Sequence, residues 1–185
     1  MIDDTLLEAE EKMEKALEVA REDFSTIRTG RANAAMFNKL TVEYYGAQTP
    51  LQQLASFQTP EARTILVIPF DKSVMGEIER TLRDSNLGIN PNNDGQVIRV
   101  NLPMLTEERR RDYIKLARTN GEDAKISIRN IRRKAKEEFD RLVKDGEVGE
   151  DEGSRAEKEL ELLTKRHVDV VDDLLRHKES ELLDV

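Results

Sequence analysis

Five cations stand within the eleven residues Ile126-Ser127-Ile128-Arg129-Asn130-Ile131-Arg132-Arg133-Lys134-Ala135-Lys136. A guanidinium offers phosphate a planar, bidentate fork and stacks on bases, so an arginine-led group of this kind suits a polyanion. The cations Arg111, Lys115, Arg118, Lys125, Arg129, Arg132, Arg133 and Lys136 recur at steps of three, four or seven. That spacing places them on roughly one side of a helix. Two readings are open at this point. The stripe is either a solvated face paired with acidic helices of the same chain, or a docking surface for nucleic acid. The predominance of arginine and the tight grouping of Arg129, Arg132 and Arg133 favour docking. The aromatic platforms that usually hold single-stranded RNA are missing from the stretch, which argues for shape-guided docking on a large RNA rather than base reading.

The rest of the chain is acidic. Its 185 residues carry a net charge of −8, with 37% charged and 4% aromatic residues. Residues 106–136 hold 11 Lys/Arg against 5 Asp/Glu, and residues 137–165 hold 5 against 11. A scarcity of aromatics with so many charges suits long amphipathic helices, each needing only an apolar stripe, better than one large core. There is no cysteine, which excludes disulfides and thiolate metal sites. The start, Met1-Ile2-Asp3-Asp4, is acidic and unlike a signal peptide, and no apolar run approaches membrane length. A cytoplasmic protein is expected.

Other chemistry is sparse. His167 and His177 are the only histidines, and His167 lies on a helical seam without a second ligand at metal spacing. No glycine-rich phosphate cradle is present, and the acidic run Glu147–Glu152 lacks calcium-loop spacing. No catalytic residue, metal site or cofactor is expected. Arg28 and Arg31 flank Gly30; they either favour the dipole at a helix C-terminus or touch the same polyanion.

The elements that must position the stripe follow from periodicity. Ile2, Leu6, Ala9, Met13, Ala16, Ala20, Phe24 and Ile27 predict a helix over 1–29, with Gly30 as its stop. All five prolines fall at 50, 60, 69, 91 and 103. There, Leu40–Tyr45, Thr64–Ile68 and Gln96–Leu102 read as strands, 71–86 as a short helix capped by Asp71 or Ser73, and Asn90–Gly95 as a turn. Ile114, Ala117, Gly121, Ala124, Ile128, Ile131, Ala135 and Leu142 form a heptad seam over 105–146. Ala156, Leu160, Leu163, His167, Val170, Leu174 and Leu182 do so over 152–184. A forty-residue helix runs about 60 Å at ~1.5 Å per residue. The expected fold is α+β: a three-helix bundle from 1–30 and 105–185, with a small β/α/β domain, 31–104, inserted. The crossings at Gly30-Arg31 and Leu102-Pro103-Met104-Leu105 read as a hinge.

Ile27-Arg28-Thr29-Gly30-Arg31-Ala32, Val42-Glu43-Tyr44-Tyr45-Gly46, Leu87-Gly88-Ile89-Asn90-Pro91, Leu105-Thr106-Glu107-Glu108-Arg109-Arg110 and Arg129-Asn130-Ile131-Arg132-Arg133, in this order, resemble the bacterial ribosome recycling factor family over the whole chain. The resemblance implies an elongated three-helix bundle and an inserted β/α/β sandwich, L-shaped and tRNA-like. It implies a non-enzymatic, monomeric translation factor that splits the post-termination ribosome with elongation factor G and GTP, releasing mRNA and tRNA. It places RNA contacts at Arg129, Arg132 and Arg133, with Arg28 and Arg31 beside them. The stripe adds Lys125 and Lys136. The RNA is that of the large subunit around the aminoacyl and peptidyl sites, and the small domain and hinge face elongation factor G. A coiled-coil adaptor that pairs with another helical protein is the competing reading of the seams alone. An enzyme hidden in the α/β part is disfavoured by the absence of Cys throughout and of His in residues 31–105.

Overall fold

A computed structural model describes residues 1–184. The long elements are α1 (Ile2–Ser25), α3 (Glu107–Lys144) and α4 (Glu150–Leu183). Between α1 and α3 lie β1 (Thr41–Tyr44), β2 (Ala47–Pro50), β3 (Ala55–Glu61), β4 (Thr64–Pro69), α2 (Met75–Asp84), β5 (Asn90–Asn93) and β6 (Ile98–Asn101). The fold is α+β, as expected. The chain divides into two compact units. The first comprises Met1–Phe24 with Lys115–Glu179, and the second comprises Ser25–Ile114 with the chain from Ser180 onward.

In the first unit three helices pack through narrow apolar seams. Met13, Leu17, Ala20 and Phe24 of α1, Ala117, Ala124, Ile128, Phe139 and Leu142 of α3, and Leu160, Leu163 and Val171 of α4 are all buried. Phe139 supplies the seam contact where the strict heptad step would fall on Glu138; in α4 Val171 is fully buried while Val170 and Leu174 are half-buried. Gly121 lies against Leu175 and Phe24, with room for a Cβ only 3.4 Å from the leucine. The α3 end is capped by Gly146 at φ +73. Its N–H donates to Val143 at 3.1 Å, and that of Glu147 donates to Leu142 at 2.9 Å. This is the 5→2 and 6→1 pair of a Schellman motif, which needs a left-handed residue where it turns. His167 is buried, its Nδ1 facing the Leu163 carbonyl and its Nε2 the Glu14 carboxylate, each at 2.8 Å.

The second unit holds a four-stranded antiparallel sheet ordered β3-β4-β6-β5, a β1–β2 hairpin, and α2. Its core gathers Phe37, Leu51, Ile65, Val67, Ile78, Leu82, Ile98 and Val100. The apolar strands read from the sequence, β4 and β6, are the two central ones. Three strands were not expected: β2, β3 and β5. Asn90–Gly95 is a strand, Asn90–Asn93, followed by a turn at Asp94 and Gly95, and not one continuous turn. The first helix also stops at Ser25, four residues before the expected end, because Ile27 and Arg28 are drawn into the second unit's interior. Gly30 is therefore not its cap and has no left-handed φ.

Candidate nucleic-acid interface

From Arg118 to Lys136 the basic stripe of α3 splits into two rows with different chemistry. One row faces α4 and is neutralised by its carboxylates, with Asp140 of α3 added at Lys136. Arg118 pairs with Glu179 at 2.7 Å and Arg132 with Glu161 at 3.0 Å. Lys125 pairs with Asp172, and Lys136 reaches Asp140 at 3.0 Å and Glu157 at 3.9 Å. Residue numbers rise along α3 as they fall along α4, so the two helices are antiparallel and the pairs form a ladder. The hydrogen bond to Asp140, and the charges of Asp140 and Glu157, hold the Lys136 ammonium above its ordinary pKa.

The other row is Arg129 and Arg133, one helical turn apart and exposed. Among the described residues neither side chain has an ion pair or a hydrogen bond. Their fixed charge is thus available to an external phosphate, whereas Arg132, Lys125 and Lys136 must first give up an internal carboxylate. The sequence alone could not separate the two rows, because most of the partners lie some twenty to sixty residues away on another helix. The acidic positions Glu161, Asp172 and Glu179 are the residues that the pattern reading passed over. Exposed pairs contribute about 0.2–1 kcal/mol each. Glu161→Gln is therefore expected to free Arg132 and raise affinity for large ribosomal subunits about two- to threefold in co-sedimentation. A drop in affinity would show that Glu161 orients Arg132 rather than competing for it.

Arg28 and Arg31 belong to the second unit. Arg31 is exposed beside a shallow groove lined by Gly30, Asn33, Phe57, Glu181 and Asp184. Arg28 is placed differently from the expectation. It is 4% exposed, and its guanidinium donates to the carbonyls of Leu87, at 3.2 Å, and Pro103. Burial lowers its pKa from the ordinary arginine value. Spent on two main-chain carbonyls and closed to solvent, it has no face to offer a phosphate. It ties the segment after α2 to the segment before α3.

The residues read as a hinge are held at their sheet-facing ends. The Leu102 N–H donates to Arg63 at 2.7 Å and the Ala32 N–H to Ala62 at 2.6 Å. Leu102 is buried, Leu105 half-buried and Met104 exposed, and Thr106 caps α3 by accepting from the Arg109 N–H at 3.1 Å. No helix among the described residues is long and apolar enough to cross a membrane.

Comparison with known proteins agrees with this architecture. A family model described as "Ribosome recycling factor" matches residues 20–183. The ribosome-recycling factor of Kineococcus radiotolerans is 71% identical, with 100% of both chains covered. That of Streptomyces coelicolor is 65% identical over the same span. A solved structure described as the solution structure of the ribosome recycling factor matches with a TM-score of 0.79 and 38% identity, covering 100% of this chain and 98% of that one. A second, of the T. thermophilus ribosome recycling factor and the E. coli elongation factor G bound to the E. coli post-termination complex, matches at 0.71 and 40%, covering 99% of each chain. The chain belongs to the ribosome recycling factor family.

Proposed function

We propose that the chain is a translation factor that, with elongation factor G and GTP hydrolysis by that partner, takes apart the post-termination ribosomal complex into subunits, mRNA and tRNA. It changes no covalent bond itself. It works as a monomer in the cytoplasm and docks on large-subunit RNA in the aminoacyl and peptidyl region. The observation that carries this is the pair Arg129 and Arg133, exposed and without a counter-charge among the described residues, beside a row of neutralised cations on the same helix. A helix bundle with continuous seams resists bending, so force applied to a docked bundle is transmitted rather than absorbed. The segments Gly30-Arg31 and Leu102–Leu105 act as the hinge, giving the inserted domain (31–104) freedom to be moved by the motor protein. Arg132, Lys125 and Lys136 join the RNA contact by exchanging carboxylates for phosphates, and Arg31 adds to it.

The test is direct. The protein is expected to co-sediment with large ribosomal subunits and to break down post-termination ribosomes only when elongation factor G and GTP are both present. Splitting without elongation factor G, or none with it, would overturn the reading.

A further inference from the structure

Three rungs of the α3–α4 ladder, Arg118–Glu179, Lys125–Asp172 and Arg132–Glu161, stand two helical turns apart along α3. That is about 10.5 Å between rungs at ~1.5 Å per residue. Ion pairs at the surface contribute little to stability, so the fold gains little from them. They lie open to a partner: the Arg118 side chain is 66% exposed and that of Glu161 56%. What the rungs change is the field in front of the helix. The two charges of a rung cancel for any group farther off than their own separation, and salt screens the remainder within about 8–10 Å. From a distance this face shows a polyanion Arg129 and Arg133, and little of the rungs beside them. The chain behind them carries a net charge of −8, which repels nucleic acid.

At contact the rungs divide RNAs into two kinds. An RNA held by charge alone gains nothing at a rung, because a phosphate that reaches Arg132 also comes against Glu161. Its attachment is then limited to Arg129 and Arg133. An RNA surface whose shape presses phosphates onto the row can exchange. There each cation leaves its carboxylate for a phosphate, and charge-assisted bonds to that phosphate offset the lost pair. Discrimination of this kind uses a repulsive element as well as an attractive one. Lys136 stands apart, since one of its two carboxylates, Asp140, belongs to α3 itself. The discriminating charges are therefore those of α4.

We propose that Glu161, Asp172 and Glu179 are specificity-determining residues, which keep α3 off unrelated RNA and reserve its paired cations for the large-subunit surface. This rests on the recycling reading above and adds to it how the docking helix rejects other RNA. The test compares two variants with the same change of charge. Glu161→Gln/Asp172→Asn/Glu179→Gln opens the ladder. Glu11→Gln/Glu18→Gln/Glu159→Gln neutralises exposed carboxylates away from it. Each is titrated over a salt series with a short duplex RNA of unrelated sequence and with large ribosomal subunits. The ladder variant is expected to bind the duplex about 100-fold more tightly at low salt, with a log-salt slope steeper by roughly 2.7, at about 0.9 for each of three freed cations. On large subunits its gain stays at about tenfold or less with the slope unchanged, since the same phosphates are touched before and after. The control variant keeps the slope of the unmodified chain on both. An unchanged slope on the duplex overturns the proposal, as do equal gains on duplex and large subunits. A control variant that matches the ladder variant overturns it too, because net charge would then be the cause. So does a ladder variant that fails to fold, since the rungs would then hold the bundle together. If the unmodified chain does not bind large subunits, the recycling reading falls and takes this one with it; if it binds them and the duplex slope is unmoved, this one falls alone.

Discussion

Arg129→Ala/Arg133→Ala is expected to bind large ribosomal subunits about 100-fold more weakly at moderate salt, with its unfolding midpoint unchanged within a degree or two. Each guanidinium lost removes a charge-assisted hydrogen bond to phosphate, about 1.5 kcal/mol or roughly tenfold in affinity. Among the described residues neither side chain has an ion pair, so no internal pair is lost with it. The slope of log affinity against log salt should flatten by roughly 1.8, at about 0.9 for each phosphate contact on a duplex. Arg132→Ala should cost less, because Arg132 already interacts with Glu161 and gains only the difference between a phosphate and that carboxylate. Filter binding or co-sedimentation over a salt series measures both quantities. Equal losses for Arg132→Ala and either exposed arginine would show that the ladder does not hold Arg132 back.

Arg28→Ala is expected to act on stability. Its guanidinium is buried and satisfies the Leu87 and Pro103 carbonyls, and the truncated variant leaves a void and two carbonyls without that donor. Charge-assisted hydrogen bonds and the penalty for unpaired buried groups together put the cost at about 2–4 kcal/mol. Arg28→Lys should recover only part of this, since a compact ammonium does not span two carbonyls as a planar fork does. Urea unfolding gives the stability, and the salt series gives the other arm. At temperatures where the variant is folded, its salt slope should match that of the unmodified chain. A slope reduced by about 0.9 would instead make Arg28 a phosphate contact.

The contrast between these two sets of arginines shows what the sequence could reveal. The long helices were legible because apolar residues at steps of three and four extend over tens of residues, and period is a robust signal at that length. The central strands β4 and β6 were legible as short apolar runs bounded by turns. The edge strands were not. β3 reads Ala-Ser-Phe-Gln-Thr-Pro-Glu and β5 reads Asn-Pro-Asn-Asn, and only pairing with an apolar neighbour makes either extended. The location of the basic cluster on α3 was legible, but its division was not. Which cations are already neutralised depends on the register between α3 and α4, and no local pattern carries that. The burial of Arg28 was illegible for the same kind of reason. An arginine near a helix end looks exposed until the chain beyond Ser25 is seen turning inward, toward carbonyls 59 and 75 residues away.

The two prolines that disguised those edge strands have a further effect at high protein concentration. Pro60 lies in the irregular stretch of β3 between Gln58 and Glu61, and Pro91 pairs with Val100 from the opposite edge of the sheet. Each removes a main-chain donor from an outer strand, and the first coincides with a break in register. A strand from another molecule that approached either edge would find an interrupted ladder, so sheet-to-sheet growth into fibres is discouraged at both ends. Aggregation through the edges of the small unit's sheet is discouraged by the same residues that make the strands hard to recognise.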